Sequence, residues 1–197
     1  MNIIERVPEG APRGLVLIFH GRGASKEDLA DVGTLLAQDG WHCVLPDAPM
    51  PWGPEGGFCW YESDTREKDL PASRALVAAL AREKQKSLGL GRGQTVVMGF
   101  SQGGVLSLDV ALNEGVAARV GCLSGYLSVP EAPSKVKEPI RVFMAHGTSD
   151  FMIRVAVARK SKRLLEDLGV PVEYREYEMA HDIVPDELDD LRKWLAT

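Results

Sequence analysis

Short apolar runs alternate with longer amphipathic segments along most of the chain. The segment from Gly14 to His20 is almost continuously apolar, which is typical of a strand covered on both faces. Similar runs predict further strands at 41–45, 94–100, 118–123, 140–145 and 170–177. Helical spacing predicts helices at 25–38, 67–88, after residue 100 to about 113, at 154–168 and at 185–195. Strands that alternate with helices favour an α/β fold with a mostly parallel sheet.

Composition and charge narrow the class of protein. The chain has 197 residues, of which 45% are hydrophobic and 26% are charged, so disorder is excluded for most of it. The net charge of −5 argues against nucleic-acid or anionic-membrane partners, which select basic patches. The sequence has no apolar run of about 18 residues and no signal-peptide pattern. We expect one domain over 1–197, in the cytoplasm, without stable membrane insertion.

The three cysteines do not suggest a structural or metal-binding role. Cys43, Cys59 and Cys122 are odd in number and far apart. They therefore predict neither a disulfide framework nor a zinc site, and a reducing compartment is the simplest interpretation. Cys59 has no nucleophile turn around it and is interpreted as a free thiol.

A serine stands in the turn between the third predicted strand and the next helix. Residues 99–104 read Gly-Phe-Ser-Gln-Gly-Gly, a G-x-S-x-G pattern in a strand–turn–helix context. Such a turn lifts the hydroxyl above the sheet, and the glycines keep Cβ atoms out of a strained bend. A Gly-rich helix start with a capping serine would also explain the pattern. The context makes Ser101 the candidate nucleophile.

A serine hydroxyl needs a base to attack at neutral pH, and the chain has four histidines. His42 lies inside a predicted strand, whereas His20 and His146 each precede a glycine at a strand end and are expected to brace a turn. His181 follows the last strand, where the base stands in the Ser–acid–His order of α/β-hydrolases. We predict His181 as the base; a surface-loop histidine is the alternative.

The acid of such a site must orient the imidazole and stabilise its charged form. Asp150 follows a buried-type strand through His146-Gly147-Thr148-Ser149, which places it at the carboxyl edge of the sheet. Other acidic residues before His181 lie on predicted helix faces or on the alternating last strand. Asp150 is therefore the predicted triad acid, with a plain turn aspartate as the alternative.

Acyl transfer also needs N–H donors for the oxyanion. The backbone N–H of Gln102 follows the nucleophile directly, and a second donor should come from the turn His20-Gly21-Arg22-Gly23. Arg22 is the first choice and Gly23 the fallback. Without the serine turn, this segment would read as a Gly-rich strand-to-helix connection only.

Residues 46–66 form a long segment with four prolines, three glycines and several aromatic residues. A loop of this length is usually functional or disordered, and its aromatic residues argue against disorder. We predict an irregular segment that walls an apolar acyl pocket, packs on the body of the protein, or does both. Whether it moves as a lid stays open.

The chain resembles the phospholipase/carboxylesterase family, which includes the acyl-protein thioesterases. The matching segments are FHGRGAS, PDAPMP with FCWYE, GFSQGG, HGTSD and YEMAHDIVPDELDDLRKWL, in family order over 15–195. The resemblance implies an α/β-hydrolase without a large cap domain that needs no metal or cofactor and cleaves esters or thioesters through an acyl-enzyme. It implies roles for Ser101, Asp150 and His181, with Gln102 and Arg22 as backbone donors.

The resemblance also suggests residues that contact the substrate, and it shows departures. Trp60 falls where the family has a loop tryptophan near the site, and Phe58, Met152 and Gly23 are further candidates. After Asp150 the family often has proline and small aliphatic residues, whereas this chain has Phe-Met-Ile-Arg. Arg22 replaces what is often an apolar residue, and its guanidinium would favour a negatively charged substrate.

Together these features predict a serine hydrolase of small ester or acyl-thioester substrates. A hydrolase of another bond, such as a lactone or peptide bond, is the nearest alternative on the same fold. A non-catalytic binding protein is less consistent with three filled triad positions. A homodimer is left open.

Overall fold

The computed structural model describes residues 1–54, 56–129, 132–136 and 138–197. Within these ranges the strands are β1 (Ile3–Arg6), β2 (Gly14–Phe19), β3 (Trp41–Pro46), β4 (Met50–Trp52), β5 (Gly57–Cys59), β6 (Thr95–Phe100), β7 (Arg119–Leu123), β8 (Arg141–Gly147) and β9 (Val172–Tyr177). Seven of them form the central sheet in the order β1-β3-β2-β6-β7-β8-β9, and β4 pairs with β5 in a separate hairpin.

The central sheet is parallel except at one edge. Every neighbouring pair from β3 to β9 is parallel, whereas β1 runs antiparallel to β3. The predicted α/β fold with a mostly parallel sheet is therefore confirmed. The sequence pattern does not predict β1, because this strand has only four residues and none of them is fully buried.

Helices cover both faces of the sheet. They are α1 (Ala30–Gln38), α2 (Arg66–Leu88), α3 (Gln102–Glu114), α4 (Val155–Asp167) and α5 (Pro185–Ala196). The buried residues of α2, α3 and α4 belong to one core cluster, and those of α1 and α5 belong to the other. In β2, Leu15, Leu17 and Phe19 face the first cluster, while Val16 and Ile18 face the second. This explains why the strand reads as a continuous apolar run.

Two predicted segments differ from the structure. Helix α1 begins at Ala30 rather than at Ser25, because polar contacts hold the preceding residues in turns. Asp47 accepts hydrogen bonds from the Lys26 backbone N–H (3.0 Å) and from Lys26 Nζ (2.8 Å). The segment 46–66 is predicted to be irregular, yet it contains the β4–β5 hairpin; residue 55 within it lies outside the described residues.

The described part of the chain has no large cap domain over the sheet. None of its helices combines the length and the apolar character that crossing a bilayer would require. The carboxyl ends of β2, β6, β8 and β9 lie at the same edge of the parallel sheet. The predicted residues Arg22, Ser101, Asp150 and His181 follow these four ends, in this order.

Candidate active site

Ser101 occupies a strained turn between β6 and α3. Its φ of 54° and ψ of −117° are unusual for a residue with a side chain. A Cβ atom at Gly99 or at Gly103 would collide with the carbonyl oxygen of Phe19, so both positions require glycine. The Ser101 N–H donates to the Leu123 carbonyl (2.8 Å), which fixes the turn to the neighbouring strand. The turn therefore presents the hydroxyl at the edge of the sheet.

His181 lies between Ser101 and Asp150 and contacts both. Its Nε2 is 2.9 Å from Ser101 Oγ, and its Nδ1 is 2.7 Å from Asp150 Oδ2. A carboxylate can only accept, so Nδ1 carries the proton towards Asp150 and Nε2 is free to accept from the serine hydroxyl. The structure thus brings the three predicted residues together in the order that general-base activation of a serine requires.

The loops that carry Asp150 and His181 are joined by backbone contacts. Thr148 N–H donates to the Tyr177 carbonyl (2.9 Å), and Ser149 N–H donates to the Met179 carbonyl (3.1 Å). Gly147 allows this approach, because a Cβ atom there would collide with the carbonyl oxygens of Met179 and Ala180. The position of the imidazole therefore depends on the end of β8 as well as on its own loop.

The carboxylate of Asp150 is buried but well supplied with donors. Its Oδ1 accepts the N–H groups of Met152 and Ile153, both at 2.8 Å. Burial raises the pKa of Asp150, but the hydrogen bonds from His181 and from these two N–H groups lower it by more than burial raises it. The pKa of Asp150 therefore lies below its ordinary value. Asp150 is therefore charged at neutral pH and able to stabilise an imidazolium.

His146 supports the same carboxylate from inside the protein. It is fully buried, and its Nε2 lies 2.7 Å from the Ile153 carbonyl oxygen and 3.3 Å from Asp150 Oδ2. Since both neighbours are acceptors, Nε2 carries the proton. The expectation that His146 braces a turn is confirmed, and the turn is the one that holds Asp150.

His20 supports the turn after β2 in a comparable way. Its Nδ1 lies 2.7 Å from the Gly21 carbonyl oxygen, and its Nε2 accepts the Ala48 N–H at 3.0 Å. Burial lowers the pKa of His20, so the neutral ring serves as both donor and acceptor. The ring thereby shapes the segment that contains Arg22, as expected for a turn-bracing histidine.

Backbone N–H groups of Gln102 and Arg22 remain the candidate oxyanion donors. Both residues line the groove above Ser101, and among the described residues neither N–H donates to a protein acceptor. The N–H of the fallback, Gly23, donates to the Phe58 carbonyl at 2.8 Å and is therefore already engaged. This contact favours Arg22 over Gly23 as the second donor.

The side chain of Gln102 has a structural task that the sequence does not reveal. Its Oε1 accepts the Trp60 N–H (2.8 Å), and its Nε2 donates to the Tyr61 carbonyl (2.7 Å). These contacts tie the segment after the hairpin to the first residue of α3. A glutamine directly after a nucleophile turn is a weak signal for this, because its partners lie 41 and 42 residues away in sequence.

The groove above Ser101 has a volume of about 700 Å³. Its lining is largely aromatic and apolar and includes two charged residues. The aromatic and apolar residues include Trp52, Tyr61, Phe100, Tyr126, Met152 and Ile153, and the charged residues are Arg22 and Asp28. The groove suits a small substrate with an apolar part.

Three of the predicted substrate contacts lie outside this groove, and one lies in it. Trp60 is fully buried, packs edge-on against Phe19 (5.4 Å between ring centroids) and donates from Nε1 to the His20 carbonyl. Phe58 and Gly23 do not line the groove, and the Phe58 carbonyl accepts the Gly23 N–H. Met152 does line the groove. The aromatic residues that the segment 46–66 presents to the groove are Trp52 and Tyr61, and Trp60 is not one of them.

The three cysteines are buried and free. Burial raises the pKa of the Cys59 thiol to about 11 and those of Cys43 and Cys122 to about 12, so none carries a thiolate at neutral pH. No cluster of three His, Cys, Asp or Glu side chains within the described ranges is arranged to hold a metal ion.

Comparison with known proteins identifies the family of this chain. The family described as phospholipase/carboxylesterase matches residues 3–197. The chain is similar to the esterase YpfH of Escherichia coli, with 27% identity over 92% of this chain and 86% of that one. It is also similar to acyl-protein thioesterase 1 of Emericella nidulans, with 30% identity over 77% of this chain and 74% of that one. The crystal structure of esterase PE8 superposes with a TM-score of 0.86 at 24% identity, covering 99% of this chain and 96% of that one.

The fold is that of an α/β-hydrolase, with a mostly parallel sheet flanked by helices. The chain belongs to the phospholipase/carboxylesterase family, and the predicted family resemblance is confirmed over nearly its whole length. It is therefore an enzyme of the carboxylesterase type.

Proposed function

We propose that this enzyme hydrolyses small carboxylic esters or acyl thioesters through an acyl-enzyme on Ser101, with His181 as base and Asp150 as its partner. The observation that carries the proposal is the continuous contact from Ser101 Oγ to His181 Nε2 (2.9 Å) and from His181 Nδ1 to Asp150 Oδ2 (2.7 Å). The named relatives, an esterase and an acyl-protein thioesterase, support the same bond types.

The first half of the reaction forms the acyl-enzyme. Ser101 Oγ attacks the carbonyl carbon while His181 Nε2 accepts the hydroxyl proton, and Asp150 stabilises the resulting imidazolium. The carbonyl oxygen becomes an oxyanion and accepts hydrogen bonds from the N–H groups of Gln102 and Arg22. The tetrahedral intermediate then expels the alcohol or thiol, which takes the proton from His181 Nε2.

The second half releases the acid. A water molecule replaces the leaving group, gives a proton to His181 Nε2 and attacks the acyl carbonyl carbon. The second tetrahedral intermediate breaks its bond to Ser101 Oγ, which recovers a proton from His181. All proton transfers pass through Nε2, since Nδ1 remains hydrogen-bonded to Asp150.

Replacing the nucleophile tests this proposal. Ser101→Ala should lower kcat on 4-nitrophenyl butyrate by about 10⁴-fold or more and abolish labelling by a fluorophosphonate probe. The matched control is Ser87→Ala, which removes an exposed serine of α2 and should leave both readouts unchanged. Turnover by Ser101→Ala at the level of the wild type would contradict the proposal.

We also propose that residues 1–197 work as one catalytic domain in the cytoplasm. Light scattering on the purified protein determines whether it acts as a monomer or a homodimer. Turnover by the monomeric species would show that the site is complete within one chain.

A further inference from the structure

Arg22 places a cation in the wall of the groove without an acidic partner. Arg22 lines the same groove as Ser101 and His181. Within the described part of the chain, no Asp or Glu forms an ion pair with its guanidinium, although Asp28 lines the same groove. A half-buried guanidinium that lacks a carboxylate partner favours an anion supplied by a ligand.

The Arg22 side chain is held in place by contacts that use only part of its donor capacity. Its Nη2 donates to the Tyr61 carbonyl and to Ser63 Oγ, both at 3.1 Å, and its Cζ lies 4.7 Å from the centre of the Trp52 ring. Among the described residues, Nε and Nη1 have no acceptor. A guanidinium fixed in this way loses little conformational entropy when it binds a further group.

We propose that Arg22 binds a carboxylate of the substrate, so that the preferred esters or thioesters carry a negative charge near the scissile bond. This inference rests on the proposed function, because it places the carboxylate in the groove where Ser101 would attack. The same residue would then serve twice, with its backbone N–H directed to the oxyanion and its side chain directed to the substrate carboxylate. The Nε–H and Nη1–H groups, which have no acceptor among the described residues, are the donors that remain for charge-assisted hydrogen bonds to this carboxylate.

The overall charge of the protein makes the direction of this preference informative. The net charge of −5 and the Asp28 carboxylate in the lining of the groove both oppose an anionic ligand, whereas the Arg22 guanidinium favours one. If Arg22 only held the segment 61–63 in place, an anionic ester would be a poorer substrate than its neutral counterpart. If Arg22 binds the anion, the anionic ester would be the better one.

Two substrate pairs separate charge from shape and locate the anion. The first pair is the mono-4-nitrophenyl ester of adipic acid, with its distal carboxylate free or methylated, and it places the charge on the acyl side. The second pair is S-butyryl-3-mercaptopropionate and its methyl ester, which places the charge on the leaving group. The readout is the ratio of kcat/KM for the charged member to that for the neutral member, after subtraction of spontaneous hydrolysis.

Arg22→Gln removes the charge and keeps the backbone N–H. In at least one pair, the wild type should prefer the charged member, and Arg22→Gln should lower the ratio by about fivefold to tenfold, as expected for a partly exposed charge-assisted hydrogen bond. Arg163→Gln changes the net charge equally on the exposed surface of α4 and should leave the ratio unchanged. Added salt should weaken the wild-type preference, and Arg22→Lys should restore part of it.

The outcomes separate this inference from the proposed function. If the ratio in both pairs is the same for the wild type and Arg22→Gln, the proposal that Arg22 binds a carboxylate is wrong. Ser101-dependent turnover of the neutral esters would still support the proposed hydrolase function. A wild-type preference for the neutral member of both pairs would overturn it equally. Loss of Ser101 dependence would instead overturn the proposed function.

Discussion

Replacing Asp150 by asparagine tests how the site sets the tautomer of His181. Asp150 Oδ1 accepts two backbone N–H groups at 2.8 Å, from Met152 and Ile153. In Asp150→Asn the amide oxygen must keep this position, because an NH₂ group there would face two donors. The NH₂ group is therefore forced to the Oδ2 position, opposite His181 Nδ1.

This orientation reverses the proton arrangement of the imidazole. Facing a donor, His181 Nδ1 has to accept, so Nε2 carries the proton and can no longer take one from Ser101 Oγ. His146 Nε2, 3.3 Å from Oδ2, also loses its acceptor there and cannot rescue the original arrangement. An incorrect tautomer of this kind costs about 10⁴-fold in kcat, which corresponds to about 5 kcal/mol.

The assay compares kcat on 4-nitrophenyl butyrate with the rate of fluorophosphonate labelling. Both should fall together in Asp150→Asn, because both need the same activation of Ser101. The control Asp182→Asn removes an exposed charge directly after His181 and should retain most of the activity. Asp150→Asn retaining more than about one-tenth of the wild-type kcat would refute the tautomer argument, given the loss expected above.

Three further predictions address the loops and the buried groups. Gly147→Ala should lower kcat by about 100-fold, because the new Cβ collides with the carbonyl oxygens of Met179 and Ala180 and displaces His181. The control is Gly93→Ala, which should not change kcat, because nothing lies within 4 Å of a Cβ atom at that position. His146→Phe leaves the Ile153 carbonyl without its donor and should destabilise the protein by about 2 kcal/mol in urea unfolding, with equal stability contradicting its bracing role. Burial raises the pKa of Glu187 to about 8, so the folded state binds an extra proton between the unfolded pKa and pH 8. The free energy of unfolding should therefore fall by at most about 5 kcal/mol as the pH rises through this window. Glu187→Gln should remove this fall, and an unchanged pH profile would show that Glu187 is not the group that titrates.

The parallel core and its catalytic edge could be predicted from local patterns alone. Strands such as Gly14–Phe19 are buried on both faces and therefore read as continuous apolar runs. The turn around Ser101 has its own signature, because Gly99 and Gly103 are required by local geometry. His181 and Asp150 then followed from their positions after the ends of strands, where side chains meet at one edge of a parallel sheet.

The features that the sequence did not predict depend on distant partners. The hairpin β4–β5 has three residues in each strand, and its position is fixed by a bridge between Ala24 and Phe58. Helix α1 starts late because Asp47, 21 residues further along the chain, holds Lys26 in a turn. The burial of Trp60 beneath the turn of His20 likewise depends on tertiary contacts, and an aromatic residue in a loop gives no sign of which face it presents.

In the proposed reaction, an acyl group is transferred to Ser101 before water releases it. The most direct measurement is to mix the enzyme with an excess of 4-nitrophenyl butyrate, quench with acid within the first turnover and locate the added mass by peptide mass spectrometry. We expect a butyryl group on the peptide that contains Ser101, and none when Ser101→Ala is treated in the same way. Butyrylation of another residue in the wild type, or rapid turnover with no covalent adduct on Ser101, would contradict it.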